Sequence, residues 1–402
     1  MNGLRVVLIT PRFWPLFGGP EDTVAELALG LKRRGAAPTV VTARWDTHWS
    51  AQLAYGSVPV IRLPHPRSRG WGTLRYLIAL ARWLRCHRDQ LDLVYLVGLG
   101  HESAVAHRAL AGCGVPVVVR PDGSDERDGR SPSPWRLRRR CQAADAAIVG
   151  DLGTARAMTE AGVPPHAIHT IADSLPAALL DHACQRTEAR AALADINPML
   201  TLTANSRVVV CVGRLAKGRG LLRLIEAWQP LARKWPGSRL WLIGDGPYRE
   251  PLYARLGDLD LRLSVNMPGS FDDLGDVLAA GDLLVDPRSE SASPRILLQA
   301  MALGRPVVGC NLETLQQTPA LAGGTARFAT PLEAAELSRV MDEMLAEPPA
   351  AAALNTVRQR VVREHGSERV IDEHLRLFER LSRKNRGVSP GIRPVPEGQL
   401  RP

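Results

Sequence analysis

Short, nearly continuous apolar runs rich in valine alternate along this chain with amphipathic stretches of helical period, and the alternation stops near the middle and starts again. A strand that is apolar at every position, not at every second one, is covered on both faces. In the first half such strands are expected at Val6–Ile9, Thr39–Thr42, Val58–Leu63, Leu93–Val97, Val117–Val119 and Ala146–Val149, with helices at Glu21–Arg34 and Leu74–Arg85. Strand–helix–strand repetition implies right-handed parallel crossovers, hence a doubly wound sheet.

Around Asp173–Asn205 the pattern dissolves into Pro, Ala, Asn and Thr, as in Asn197-Pro198-Met199-Leu200-Thr201. The rhythm then resumes with strands at Val208–Val212, Leu240–Ile243, Leu261–Val265, Leu283–Val285 and Pro306–Val308. Helices are expected at Leu221–Lys234, near Tyr248–Leu256, and at Asp272–Ala280, Arg295–Leu303, Leu332–Leu345, Ala350–Glu364 and Ser367–Leu381, with Gly366 separating the last two. The expected division is therefore a first Rossmann-like domain over 1–175, a linker over 176–205 and a second Rossmann-like domain over 206–365. A helix over 366–383, returning to the first domain, and a disordered Pro-, Gly- and Arg-rich tail over 384–402 complete it. The fold class is α/β, with two sheets facing each other across a cleft. Open α/β sheets bind ligands at their strand C-termini, so such a cleft can hold a donor on one wall and an acceptor on the other.

Composition sets outer limits. A chain of 402 residues with 45% hydrophobic and 23% charged residues is an ordinary globular chain. The formal net charge of +10 favours phosphates or anionic surfaces as partners. No Lys/Arg block interleaved with aromatics marks a nucleic-acid site, and Arg136–Arg140 reads as a solvated helix face. The six cysteines lie at neither redox nor zinc spacing, which fits a reduced compartment without a disulfide frame. Met1–Thr10 reads as a first strand, not as a signal sequence, and no apolar run reaches the ~18 residues of a membrane span.

Three turns and one helix start carry the chemistry. Gly18-Gly19 follows the first strand and precedes a helix, which suits a phosphate-bearing ligand and suits a tight turn equally well. Gly213-Arg214-Leu215-Ala216-Lys217-Gly218-Arg219-Gly220 sets three cations and three glycines at a strand-to-helix turn. That pattern suits a diphosphate, with Arg214 and Arg219 neutralising charge on a departing phosphate. Gly244-Asp245-Gly246-Pro247 ends a strand at the same edge and reads either as a binding turn or as a turn alone. Pro287-Arg288-Ser289-Glu290-Ser291-Ala292-Ser293-Pro294 leaves open amides at a helix start, where Glu290 either meets sugar hydroxyls or complements the helix dipole.

Val212-Gly213-Arg214-Leu215 … Arg219-Gly220 … Leu224-Ile225-Glu226-Ala227 resembles the donor-site signature of the family-4 glycosyltransferases. So do Leu242–Pro247, Leu278–Asp282 leading to Asp286-Pro287, and Leu297–Val308. In the first half, Gly18–Glu21 and Leu27-Ala28 … Leu31–Gly35 look like the family's glycine loop and first helix. The resemblance covers roughly residues 4–380 and implies the GT-B fold and sugar transfer from a nucleotide donor with retention of anomeric configuration. It also implies no bound metal and no cofactor beyond the donor itself. The chain departs from the pattern at four positions. Arg219 stands where the family usually has lysine, Ser291 and Gln299 stand where it has paired glutamates, and Asp122 stands where it has a histidine. Glu290, one position early, can substitute for the first glutamate, and Gln299 can still hydrogen-bond a ribose hydroxyl.

The implied site comprises Asp122, Arg214, Arg219 and Glu290 at the reacting centre and Gly18, Gly19, Gly244, Asp245, Ser291, Ser293 and Gln299 around the substrates. The expected partners are a nucleotide-diphosphate sugar and a glycan, lipid-linked or small-molecule acceptor. The expected compartment is the cytoplasm or the inner face of its membrane. Two other functions share the architecture: a nucleotide-sugar epimerase, which needs more acid–base residues, and a catalytically weak or inactive sugar-nucleotide-binding protein. A basic amphipathic stretch, Trp71–Arg85, fits peripheral contact with anionic lipid or a helix packed on the sheet with its cations outward.

Overall fold

The computed structural model describes residues 3–16, 19–65, 71–98, 100–121, 144–150, 152–160, 162–180, 185–203, 205–271, 273–289, 294–311, 324–330 and 333–386. The first sheet is built from β1 (Arg5–Ile9), β2 (Ala37–Arg44), β3 (Gln52–Tyr55), β4 (Val58–Pro64), β5 (Leu93–Val97), β6 (Val117–Arg120), β7 (Ala146–Val149) and β8 (Ile168–Thr170). Their order is β3-β4-β2-β1-β5-β6-β7-β8. All neighbours run parallel except β3, which pairs antiparallel with β4. The helices are α1 (Gly19–Arg33), α2 (Trp71–His87), α3 (His101–Leu110) and α4 (Leu152–Glu160).

Successive residues of a strand point to opposite faces, and β1 shows the consequence. Val6 and Leu8 join a core with Val24, Leu27 and Leu31 of α1, while Val7 and Ile9 join another with Tyr76, Leu80 and Leu84 of α2. This is the three-layer burial that continuous apolar strands require.

The second sheet repeats the plan. It comprises β9 (Val208–Val212), β10 (Arg239–Ile243), β11 (Val265–Gly269), β12 (Leu283–Asp286), β13 (Val307–Gly309) and β14 (Ala326–Phe328), in the order β11-β10-β9-β12-β13-β14. Every neighbour is parallel. The associated helices are α5 (Arg186–Ile196), α6 (Leu221–Lys234), α7 (Arg249–Asp258), α8 (Gly275–Ala280), α9 (Arg295–Ala302), α10 (Ala334–Ala346) and α11 (Ala351–His365), and the last helix, α12 (Ser367–Arg386), returns to the first sheet. One face is covered by α6, α7 and α10 around Trp228, the other by α5, α8, α9 and α11 around Trp241. Asp282 anchors α5 by accepting hydrogen bonds from Arg186, Arg190 and the Val208 amide.

One expected strand is displaced. The strand anticipated at Leu261–Val265 begins only at Val265. Leu261 instead closes a turn, its amide bonded to Leu256 O at 2.8 Å, and packs into the core beneath α7. Pro268 is tolerated in β11 because that strand lies at the sheet edge.

The chain crosses between the sheets twice, and the crossings touch. Leu175 N donates to His365 O at 2.9 Å, and His365 Nδ1 lies 3.2 Å from Asp173 O. After Gly366, α12 carries Val370, Ile371, Leu377 and Phe378 into the core beside α1. A Cβ on Gly366 would come within 2.6 Å of Val362 O, and one on Gly30 within 2.0 Å of Ile371, so both glycines permit close approach.

A buried polar knot fastens α12 to β6. Arg120 pairs with Asp173 and reaches His374 Nε2 at 3.4 Å. His374 Nδ1 lies 2.7 Å from Val370 O, so Nδ1 donates to the carbonyl and Nε2 accepts from the guanidinium. Burial and the facing Arg120 charge push the His374 pKa down to about 3. Unfolded histidine titrates near ~6.5, so between those values the unfolded chain binds the extra proton. Stability is therefore expected to be full above about pH 6.5 and to fall as the pH drops towards 3, the slope shrinking in a His374→Gln variant. Denaturant midpoints measured across that range check it.

Candidate active site

In each sheet the strand order reverses beside the first strand, at β1/β5 and at β9/β12. A crevice opens at such a reversal, outside the strand C-termini. The second crevice is lined by three interlocked loops. After β9, Gly213 N donates to Ile243 O at 2.9 Å and Leu215 N to Asp245 O at 3.0 Å. Tyr248 N returns to Leu215 O at 3.0 Å, and Gly244 N donates to Gly269 O at 2.8 Å. The loops are one hydrogen-bonded floor.

Two glycines make that floor possible. Gly244 has φ +135°, and a Cβ there would lie 2.1 Å from Gly213 O. Gly220 has φ +72°, caps α6, and would place a Cβ 2.1 Å from Pro287 O. That carbonyl also accepts from Arg223 Nη2. Both positions combine a left-handed backbone with a backbone atom where a side chain would stand, so only glycine fits. Gly220→Ala is expected to lower stability by about 2–3 kcal/mol and to separate the β9–α6 loop from the loop after β12. Chemical denaturation of the purified variant measures it.

The floor is strongly basic. Arg219 turns back over the strand end, its Nη1 3.8 Å from where a Gly213 Cβ would project. Its charge is felt at buried Cys211, whose thiol is driven far upward by burial and by Asp286, with Arg288 and Arg219 opposing. Burial, opposed by Arg223, pushes Cys310 up to about 11. These two cysteines are packing residues, not nucleophiles. Arg214 is exposed at the rim. Arg288 is clamped by Asp286, Nε to Oδ1 at 2.8 Å and Nη2 to Oδ2 at 2.5 Å. Burial opposes the Arg288 charge, and the carboxylate more than restores it.

The fourth wall is the start of α9. Its N-cap is Pro294, which offers no side-chain acceptor to the first-turn amides. Such a terminus attracts anions. Gln299, on the next turn, is 6% exposed, and its side-chain amide makes no hydrogen bond among the described residues. From the same helix Arg295 Nη1 donates to Thr23 Oγ1 of α1, so the walls of the two domains meet here. On the first-domain side, Arg62 ties loops together by donating to Trp14 O at 2.6 Å and Ser50 O at 3.2 Å.

The structure thus brings Arg214, Arg219, Gly244 and Asp245 to one edge and Gln299 to the helix facing it. Gly19 opens α1. Asp245 Oδ1 accepts from the Gly246 amide at 2.8 Å. Asp122, Gly18, Glu290, Ser291 and Ser293 lie outside the described residues, as do the basic run Arg136–Arg140 and the tail beyond Arg386. Arg223, Arg288 and Arg295 are site residues that sequence reading did not single out. Among the described residues no group of three or more His, Cys, Asp or Glu is arranged to hold a metal ion.

Residues 18–173 match the family described as "Glycosyl transferase 4-like domain" and residues 206–347 the family described as "Glycosyl transferases group 1". The two matches together account for most of the chain, one for each sheet. The chain belongs to the group-1, family-4-type glycosyltransferases. Solved structures agree on the fold. Sucrose-phosphate synthase from Thermosynechococcus elongatus superposes with a TM-score of 0.80 at 19% identity, over 95% of this chain and 100% of that one. Anabaena HepE in complex with UDP-glucose gives 0.75 at 18%, over 94% of this chain and 100% of that one. The architecture of this glycosyltransferase is GT-B. Among curated relatives, the lipopolysaccharide core biosynthesis glycosyltransferase LpsE of Rhizobium meliloti is 35% identical over 114 residues, 28% of this chain and 32% of its own length. The 2-deoxystreptamine glucosyltransferase of Streptomyces kanamyceticus is 28% identical over 187 residues, 44% of this chain and 47% of its own. The match therefore spans less than half the length of either relative.

Proposed function

We propose that this glycosyltransferase moves a sugar from a nucleotide-diphosphate donor to a hydroxyl of a glycan, lipid-linked or small-molecule acceptor, with retention of anomeric configuration. The observation that carries the reading is the guanidinium of Arg219 beside Gly213 at the end of β9, at the strand-order reversal, where α9 also begins with an uncapped N-terminus. When the sugar–phosphate bond breaks, negative charge grows on the departing diphosphate. Preorganised cations and amides stabilise that charge without reorganising, and no covalent nucleophile or metal is required. Arg214 supplements Arg219 from the rim, while the Arg288 charge is answered by Asp286.

Gln299 is assigned to a ribose hydroxyl, because its side-chain amide can both donate and accept a hydrogen bond and makes none among the described residues. Gly18-Gly19 is assigned to the phosphate side as the domains close. Asp122 is assigned to the acceptor, and Glu290, Ser291 and Ser293 to the donor sugar. The UDP-glucose complex of HepE supports a nucleotide sugar as the donor type.

Thermal-shift screening against UDP, GDP, ADP and their sugars, followed by anomeric NMR of any product, tests the proposal. The expected result is stabilisation by one nucleoside diphosphate family and a product of unchanged anomeric configuration. No stabilisation by any of them, or an inverted product, contradicts it.

A further inference from the structure

Helix α2 packs on the first sheet through Tyr76, Leu80 and Leu84, which are all fully buried. That contact leaves the opposite face outward, and its composition is not that of an ordinary solvated face. Trp71, Leu74 and Ile78 stand 70%, 48% and 51% exposed. Their spacing is helical, so they form one stripe. Arg75, Arg82 and Arg85 lie on the same face, exposed, and α2 contains no acidic residue. Among the described residues these three arginines enter no hydrogen bond or ion pair. The fold uses neither the apolar stripe nor the charges beside it.

We propose that this face of α2 docks on an anionic lipid bilayer. A helix lying in the bilayer interface buries its large apolar side chains among the acyl chains and keeps its cations at the headgroups. Tryptophan is favoured at that depth, because its ring is apolar and its N–H remains wet. The arginines choose the occupant. A second copy of this chain, paired about a two-fold axis, would set arginine against arginine. A neutral apolar partner would leave three cations unanswered. An anionic surface answers both features at once, and the net charge of +10 reinforces the attraction.

α2 starts where β4 ends, and His65, just after β4, lies 6.0 Å from the Tyr76 ring. The apolar end of the stripe therefore stands at the strand C-terminal edge of the first sheet, the edge that borders the cleft. Docking there turns the mouth of the cleft towards the lipid surface. The inference stands on α2 alone and needs no transferase activity.

Flotation of the full chain with phosphatidylcholine vesicles, with and without phosphatidylglycerol, tests it. Wild-type protein is expected to float only with the phosphatidylglycerol vesicles and to be released by salt. Each arginine near an anionic surface is worth about fivefold in partition, so Arg75→Gln/Arg82→Gln/Arg85→Gln is expected to bind about a hundredfold more weakly. Trp71→Ser/Leu74→Ser/Ile78→Ser is expected to lose about tenfold or more. Because all six side chains are exposed, both variants should keep the wild-type thermal transition. Wild-type protein that stays unbound, either folded variant that binds like the wild type, or a stripe variant that instead turns a dimer into a monomer overturns the proposal.

Discussion

Arg219→Ala is expected to lower kcat/KM for sugar transfer by about 10²–10³-fold, mostly through kcat. The direction follows from where the group sits. Its guanidinium lies beside Gly213 at the end of β9, in a turn whose glycines 213, 218 and 220 all have positive φ, and it stands at the strand-order reversal where a donor diphosphate would bind. A preorganised cation acts most strongly on charge that appears only in the transition state. Arg214, exposed at the rim, is screened by water, and Arg214→Ala is expected to cost about tenfold. Arg219→Lys restores the charge that the family resemblance places there. It should recover all but about tenfold of the activity, the remainder being lost with the planar fork. Steady-state kinetics on the three variants, with the donor found by screening, gives these ratios. Equal rates for Arg219→Ala and the wild type would remove the electrostatic basis of the proposed mechanism.

Arg120→Met is expected to destabilise the protein by about 3–5 kcal/mol, the scale for removing one partner of a buried ion pair. Arg120 is 4% exposed and joins β6, the first crossing segment at Asp173 and helix α12 at His374. Burial opposes its charge, and Asp173 together with Tyr95 more than compensates. Without the guanidinium, Asp173 is left without its buried counter-charge and His374 Nε2 without a donor. Adding Asp173→Asn removes the uncompensated charge and should recover about half of the loss. Denaturant unfolding of the single and double variants reads both numbers. A further signature is expected in the single variant: with the facing cation gone, the His374 pKa rises, and the acid-side loss of stability becomes shallower. A purely local packing role for Arg120 would leave that slope unchanged.

The two sheets were legible because their central strands are buried on both faces. Val208–Val212 and Leu93–Val97 announce themselves as unbroken apolar runs. The strands that escaped reading are β3, β8 and β14, at the sheet edges. They are short and only half-buried, so no apolar run marks them. Helices α3 and α4 escaped for another reason: each follows a strand closely and carries few large apolar residues.

The site divides in the same way. The turn Gly213–Gly220 was readable because charge and glycine coincide at a strand-to-helix junction. Gly220 itself shows what was hidden: the space a side chain would need there is filled by the Pro287 carbonyl, from a different loop. The clamp of Arg288 by Asp286 depends on the chain bending at the end of β12, and Arg295 reads locally as a helix start while it reaches across to Thr23. The knot of Arg120 with His374 joins residues 254 positions apart, and no local pattern encodes it.

Calorimetry of nucleoside diphosphate against the corresponding nucleoside, on wild-type protein and Arg219→Ala, addresses the phosphate grip at its source. The account predicts that the wild type binds the diphosphate at least about a hundredfold more tightly than the nucleoside. Arg219→Ala should lose most of that margin while its nucleoside affinity stays unchanged. A diphosphate affinity untouched by removal of Arg219 would contradict it.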